Sequence, residues 1–458
     1  MIRLPANTEI TTVLLQKLLD EHKKEVNDRY EKLLKAYESD HEILHSDPKP
    51  KYKPDNRIVV NFAKYIVDTT NGFFIGNPIK TVAEDKAVSE FVEYVERYNN
   101  QDDNNAELSK LCDIFGKGYE MYYTDEESEL CITYQSPIDA FMVFDDSILE
   151  RPLFFIRRYT DYESVEWGSI SNSYGVRHFK VTGGIQWIDP EWQPHHFNGV
   201  PATEFVENKE KQGLFEPVMT DINAYNKAIS EKANDVDYFA DAYLKILGVL
   251  LEDEELKCIR DNRIINLAGN DDELKNIIVE FMDKPNNDTT QENLLDRLER
   301  HIFQIPMVAN ISDENFGGSS GEALKHRTQN MKNLFKVKER KFTSGMNRRY
   351  KLLFGHPASK VPADAWLQLS YNFFPNVPTN LKEESETAKN LEGIVSHETQ
   401  LKTLSIVDNV EKELEKIEEE NAKTTEAAIN DTILGFGNTT PNVNEPTAEP
   451  QVIEVTNE

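Results

Sequence analysis

Residues 119–159 read YEMYYTDEESELCITYQSPIDAFMVFDDSILERPLFFIRRY. Runs rich in Tyr, Phe, Ile and Val at 119–123, 130–134, 141–144 and 153–159 are separated by turn residues. The pattern returns at 178–181, and the stretch 189–199, with two Pro and a Gly, reads as a loop. Aromatic and β-branched runs of this length between clusters of Asp, Ser and Pro specify short antiparallel strands. The middle of the chain is therefore a β-rich layer.

Outward from that layer the period changes from two to three or four. Upstream, 8–44 carries Leu14, Leu15, Leu18 and Leu19, then Tyr30, Leu33, Leu34 and Tyr37, at helical spacing. Asp47-Pro48-Lys49-Pro50 and Pro54 end this helix and make a polar connector. A second helix is expected over about 58–70, stopped by Gly76-Asn77-Pro78, and a third over about 85–99. Downstream, residues 221–247 hold Ile222, Tyr225, Ile229, Ala233, Val236, Phe239, Tyr243 and Leu247, one sustained helical stripe. A small mixed segment fills 248–288. Thr289-Thr290-Gln291-Glu292 is a capping box opening a helix with Leu294, Leu295, Leu298 and Ile302, closed by Pro306. A long helix is expected over 321–354 and a last helical region over 380–423. The tail 425–458, without Lys or Arg and with three prolines, has the composition of a disordered segment. The fold class is α+β, mainly helical.

The chain has 458 residues, enough for two to four packed units at ~100–200 residues each. Its net charge of −30 opposes tight DNA binding, which gains affinity from Lys and Arg on phosphates. That charge is compatible with a surface past which DNA slides without sticking. Cys112, Cys131 and Cys258 are odd in number and widely spaced, with no CxxC, which argues against a disulfide framework and against zinc. The first nineteen residues lack the basic and apolar regions of a signal peptide. The longest apolar run, 58–75, is broken by Asn61, Lys64, Asp68 and Asn71, so no membrane span is expected.

Candidate chemistry is sparse. His195 and His196 are adjacent, a poor geometry for sharing one metal, and no HExxH follows. Asp102-Asp103, Asp145-Asp146 and Asp271-Asp272 are acid pairs of the kind that hold Mg²⁺ in nucleases, but Asp also favours turns and caps through local hydrogen bonds. The stretch Asp313, Glu314, Asn315, Phe316, Gly317, Gly318, Ser319, Ser320 precedes a helix but lacks GxxxxGK[ST], and Glu322 stands where a phosphate loop wants positive charge. A flexible loop with a serine cap is the plainer reading. No cofactor, metal or catalytic set is expected.

The helix behind that stretch holds Lys325, Arg327, Lys332, Lys336, Lys338, Arg340, Lys341, Arg348, Arg349 and Lys351 against Glu322 and Glu339, a local +8 in a chain of −30. Such a helix is read as a solvated face against an acidic neighbour, or as a contact to DNA phosphate or to the next subunit.

A family resemblance enters at Asn56-Arg57-Ile58-Val59-Val60-Asn61-Phe62-Ala63-Lys64-Tyr65 and Gly72-Phe73-Phe74-Ile75-Gly76-Asn77-Pro78. It continues through Ser136-Pro137, Phe144-Asp145-Asp146 and Arg157-Arg158-Tyr159. Its most specific piece runs from Glu204-Phe205 through Asn208-Lys209-Glu210-Lys211-Gln212-Gly213 to Asp221-Ile222-Asn223-Ala224-Tyr225-Asn226, with Phe239-Ala240-Asp241-Ala242-Tyr243 beyond it. Gly393-Ile394-Val395-Ser396-His397 closes it. In this order the stretches resemble the siphovirus-type portal proteins of tailed bacteriophages.

The resemblance implies a ring of about twelve subunits around a channel for double-stranded DNA. Its implied partners are the terminase, the major capsid and scaffolding proteins and a head–tail connector. It places the subunit at the capsid vertex of the virion, and in the host cytoplasm during assembly. It divides the chain into a wing (1–220), a stem helix (221–247), a clip (248–288), a second stem helix (289–305), a channel loop (306–321), a long basic helix with wing return (322–378), a crown (379–424) and the tail (425–458). The stripe of Tyr225, Ile229, Val236, Phe239 and Tyr243 is too long to be covered by one short partner helix, so part of it is expected to form a subunit interface. The competing readings are a metal-dependent nuclease or hydrolase built on the acid pairs, and a non-viral helical adaptor. Mg²⁺-dependent cleavage would mark the former; the absence of a discrete ring would mark the latter.

Overall fold

A computed structural model describes residues 2–50, 53–240, 244–247, 278–281, 288–310, 329–376 and 381–423, the last span with short breaks at 405, 408–409 and 411–412. The chain divides into unit 1, Met1–Asn376, and unit 2, Val377–Glu458.

In unit 1 the strand runs predicted from the sequence become two sheets. The larger is seven-stranded: Ile2–Leu4, Ala140–Asp145, Pro152–Thr160, Glu166–Ser171, Gly175–Val181 and Gln193–Pro194 in that order, with Ile185–Trp187 pairing off Gly175–Val181. The smaller orders Ala202–Val206, Lys117–Thr124 and Leu130–Gln135. All these pairs are antiparallel except Ile2–Leu4, which runs parallel to Ala140–Asp145 with Ile2 opposite Val143. That first strand, Glu166–Ser171 and Ala202–Val206 were not anticipated. Each is short, or diluted by Gly, Ser and Thr.

Side-chain alternation assigns the two faces of the large sheet. Phe141, Val143, Phe154, Ile156 and Phe179 pack against Leu15, Leu18 and Leu19 of the helix Thr12–Glu25. Ala140, Met142, Phe144 and Phe155 face the other way, onto Tyr119, Val200 and Ala202. Ala140–Asp145 is therefore buried on both faces, and reads as a continuous apolar run rather than an alternating one.

The N-terminal helix is interrupted by a π turn at Val26–Tyr30 and resumes at Glu31–Tyr37, ending short of the expected 44. The second helix is Phe62–Ile75, with the Asn61 side chain accepting from the Lys64 N–H at its start. It begins later than expected, since 54–61 is not helical, and runs on to Ile75. The third is Lys86–Tyr98, capped by Asp85. The helix Gln101–Phe115 was missed, since Asp102, Asp103, Asn104 and Asn105 read as turn residues; it ends at left-handed Gly116, φ 80°. Gly116 has to be glycine, since a Cβ there would stand 2.1 Å from the Lys211 carbonyl oxygen.

Downstream, Met219–Ala240 is helical, but Leu244–Leu247 is a strand pairing antiparallel with Ile278–Phe281. The helical spacing expected to run on to Leu247 gives way here, because Leu244, Ile246 and Leu247 serve a β ladder. Asp288–Gln304 returns antiparallel to Met219–Ala240: Gln291 Nε2 donates to Asp235 (3.2 Å), and Lys232 pairs with Glu292. Phe303 closes on Phe62 and Tyr65, both edge-on. The long helix is described over Gln329–Phe354, and Ser370–Asn372 pairs with Lys80–Val82. Unit 2 holds the helices Leu381–Asn390 and His397–Leu401, the second capped by Ser396, and Gln400 Nε2 donates to the Ala388 carbonyl (2.8 Å). The stretch 413–423 is also helical.

Candidate functional site

The long helix carries a strict 4,3 repeat: Met331, Phe335, Lys338, Phe342, Gly345, Arg349, Leu352, all buried. Two of its seven inward positions are cations. Phe342 packs at a tilt on Phe205, ring centroids 4.8 Å apart, and Phe205 comes so close to the helix that a Cβ on Gly345 would meet its ring at 2.4 Å.

Arg349 is fully buried. Its Nε and Nη2 each reach a different oxygen of Glu120 at 2.8 Å, and Nη2 also donates to Asn105 Oδ1 at 2.6 Å. Gln101 and Tyr122 complete the ring of partners around Glu120. Burial pulls the guanidinium pKa down, but Glu120 outweighs it and the net direction is up. Lys338 is also buried, pairs with Asp113, stands 3.2 Å from Glu207 and lies 4.9 Å over the Phe74 ring. Burial again works against the ammonium, while the two carboxylates raise it overall.

The structure therefore splits the basic helix. Lys338 and Arg349 face the interior, so neither offers charge to DNA or to a neighbouring subunit. Half-buried Arg348 donates to the carbonyls of Ala202 (3.2 Å) and Val200 (3.3 Å). Lys336 is exposed and pairs with Glu339 at 2.6 Å. Lys332 and Lys341 are half-buried, and Arg340 and Lys351 are exposed. Lys325 and Arg327 lie outside the described residues, as do Asp313 to Ser320. The repeat at 331–352 was legible in the sequence; counting charge alone hid it.

The stripe of Met219–Ala240 is also redrawn. Its buried face is Ile222, Asn226, Ser230 and Asn234, while Tyr225 and Ile229 are half-buried and Val236 is 55% exposed. Tyr243 and the Phe239 side chain lie outside the description. The three polar residues hold the extended segment before Phe62. Asn226 Oδ1 accepts from the Val60 N–H (2.9 Å), Ser230 Oγ from Ile58 (2.9 Å) and Asn234 Oδ1 from Asn56 (2.7 Å). The match is geometric: two extended residues rise ~6.6 Å and four helical residues ~6 Å, so every fourth side chain meets every second amide. A search for apolar periodicity passes over such a face.

A third junction gathers the stretch 204–216. Arg29, on the π turn, forks onto Glu216 with two 2.7 Å contacts and donates to the Lys211 carbonyl at 2.7 Å. The Glu216 carboxylate raises the Arg29 pKa against the opposing effect of burial. Glu216 also accepts from the Gly213 N–H (3.0 Å), and Lys211 pairs with Glu204. Arg29 was not singled out from the sequence, where it is one of many charges on an amphipathic helix.

The candidate chemical groups are accounted for locally. Asp145 Oδ1 accepts from the N–H groups of Ser147 (3.3 Å) and Arg151 (2.9 Å), closing a turn. Asp102 and Asp103 occupy the first turn of their helix. His195 Nε2 bonds the Asn172 carbonyl and its Nδ1 accepts from the Phe197 N–H. Asp271 and Asp272 lie outside the description. Among the described residues no group of three His, Cys, Asp or Glu is placed to hold a metal, and no helix is long and apolar enough to cross a membrane.

The family model described as "Phage portal protein, SPP1 Gp6-like" matches residues 16–427. The portal protein of Bacillus phage SPP1 is 23% identical over 462 aligned residues, covering 90% of this chain and 87% of that protein. The portal protein of Clostridium phage phiCD119 is 23% identical over 423, covering 86% and 91%. A solved structure described as the neck of an empty GTA particle, computed with C6 symmetry, aligns with a TM-score of 0.47 at 15% identity, covering 74% of this chain and 89% of that one.

Proposed function

This chain belongs to the phage portal protein family, and from that premise we propose that it is the subunit of a ring of about twelve copies at one capsid vertex, through which double-stranded DNA is packaged and ejected. The observation that carries the reading is the extent of the family match. It runs from residue 16 to 427, through the sheets, the antiparallel helix pair and the long helix alike. In this reading the sheets and N-terminal helices are the wing, and Met219–Ala240 with Asp288–Gln304 is the stem. The strands Leu244–Leu247 and Ile278–Phe281 belong to the clip side, residues 306–321 are the channel loop, and the crown begins at 379.

Charge supports the reading. A net −30, with two of the long helix's cations neutralised inside the fold, leaves little for DNA phosphates to grip. DNA of any sequence then passes with few, transient contacts to phosphate and groove shape. The ring docks the terminase and, later, the head–tail connector, and meets the capsid and scaffolding proteins at its rim. The chain itself performs no turnover; a separate terminase motor supplies the energy of translocation. The experiment is packaging yield per assembled ring in a defined system. Deleting Gly317 and Gly318 is expected to leave assembly intact and lower packaging. Normal packaging removes this stretch from the channel, and Mg²⁺-dependent DNA cleavage lost on mutating an acid pair of this chain overturns the non-enzymatic assignment.

A further inference from the structure

Asp113, Glu207 and Lys338 come from three separate segments: the helix Gln101–Phe115, the turn after Ala202–Val206, and the long helix. All three are buried. Main-chain bonds fix the first two against each other, since the Glu207 N–H donates to the Gly116 carbonyl (3.0 Å) and the Leu214 N–H to the Asp113 carbonyl (2.8 Å). Two carboxylates thus share one ammonium.

The hydrogen-bond inventory of the pair is incomplete. Lys338 Nζ donates to Asp113 Oδ1. Glu207 Oε2 meets Lys338 Nζ as an ion-pair contact at 3.2 Å, while Asp113 Oδ2 and Glu207 Oε1 have no donor, although both carboxyl groups converge on the same ammonium. Two ionised carboxylates would leave one uncompensated negative charge in the interior and two oxygens, Asp113 Oδ2 and Glu207 Oε1, without a donor, an arrangement that low dielectric penalises heavily. One proton resolves both problems. It turns a carboxylate into a donor, satisfies an oxygen on each partner and leaves one negative charge opposite one positive.

We propose that Asp113 and Glu207 form a proton-binding site, holding one proton between them on Lys338 in the folded protein. The other groups facing the site fit this. Cys112, buried on the same helix, is held in the thiol form by desolvation, Glu204 adds negative potential from the adjoining strand, and the helix Phe62–Ile75 places the Phe74 ring against Lys338. Burial, with Lys338 opposing and Glu207 adding, pushes the Asp113 carboxyl well above its usual range. The proton ties the helix Gln101–Phe115 to the turn after Ala202–Val206, opposite Lys338 of the long helix, and its loss weakens that junction.

A group whose folded pKa is raised binds more proton folded than unfolded, so its contribution to stability falls as pH rises above the unfolded carboxylate value, until the folded pKa is passed. In that window the folding equilibrium constant loses up to about tenfold per pH unit for one retained proton. Full-length protein and Asp113→Asn are unfolded in urea between about pH 4 and 7. The wild-type constant is expected to fall relative to the variant with a slope approaching one proton. Infrared spectra of the folded wild type at neutral pH are expected to show a protonated-carboxyl stretch that is absent from Asp113→Asn or Glu207→Gln. If Asp113→Asn does not fold, Glu207→Gln and the wild-type spectrum decide. Equal slopes, or a folded wild type without the protonated-carboxyl band, overturn the proposal.

Discussion

Arg349 and Glu120 meet in a two-pronged ion pair at 2.8 Å on each prong, both residues buried, joining the long helix to the middle strand of the smaller sheet. The pair sits at the same inward face as Lys338, eleven residues and three helical turns away, so the helix is fixed in rotation and in axial position at two points. An apolar stripe alone would tolerate sliding by a turn, whereas a charge that must find its partner does not.

Removing one partner of the Arg349 pair is expected to be costly. Arg349→Met leaves Glu120 charged and unpaired in the interior and should destabilise the protein by about 3–5 kcal/mol. Arg349→Lys keeps the charge and loses the fork, so it should fall between the two. Urea denaturation measures both; a loss below ~0.5 kcal/mol for Arg349→Met would show the pair to be dispensable.

The polar face of Met219–Ala240 makes a local prediction. Asn226→Ala leaves the Val60 N–H without its acceptor, at about 1–3 kcal/mol. Amide exchange should quicken at Asn56, Ile58 and Val60 while the sheets keep their protection. Unchanged exchange at Val60 would mean that water replaces the asparagine at no cost.

His22 stacks on Phe141 at 4.3 Å, donates from Nε2 to the Pro137 carbonyl at 2.8 Å and is buried. Burial, against the opposing effect of that hydrogen bond, lowers its pKa from 6.5 to about 4. The imidazole is neutral in the fold, so its contribution to stability is whole above pH 6.5 and is lost as pH falls toward 4. By pH 5 the loss amounts to about 2 kcal/mol. His22→Gln should remove that part of the acid sensitivity; thermal midpoints of both proteins at pH 7 and 5 test it, and parallel shifts would contradict it.

Val236 is mainly exposed in the single chain, so Val236→Asp should leave the subunit's folding stability nearly unchanged. In an assembled stem the same charge would sit between neighbours and reduce ring formation, seen as a shift to smaller species in size-exclusion chromatography. Assembly equal to wild type would take this position out of the interface.

The strand runs, the helix pair and the long helix were legible because apolar periodicity reports which face is buried. The buried polar devices were not. Asn226, Ser230 and Asn234 satisfy main-chain amides, and Asp113, Glu120, Lys338 and Arg349 neutralise one another across 200 residues or more of chain. No local window contains both halves of such a pair. Lys338 and Arg349 were nonetheless visible as cations in phase with Phe335 and Phe342, a signal read as surface charge because charged residues are so seldom fully buried.

The proposed function requires copies of this chain to close into a ring around an open channel. Electron microscopy of the purified full-length protein, paired with its native mass, tests it most directly. Discrete rings with a central hole and a mass of about twelve subunits are expected. A monodisperse monomer, or open filaments without a closed particle, under conditions in which the chain is folded, would contradict it.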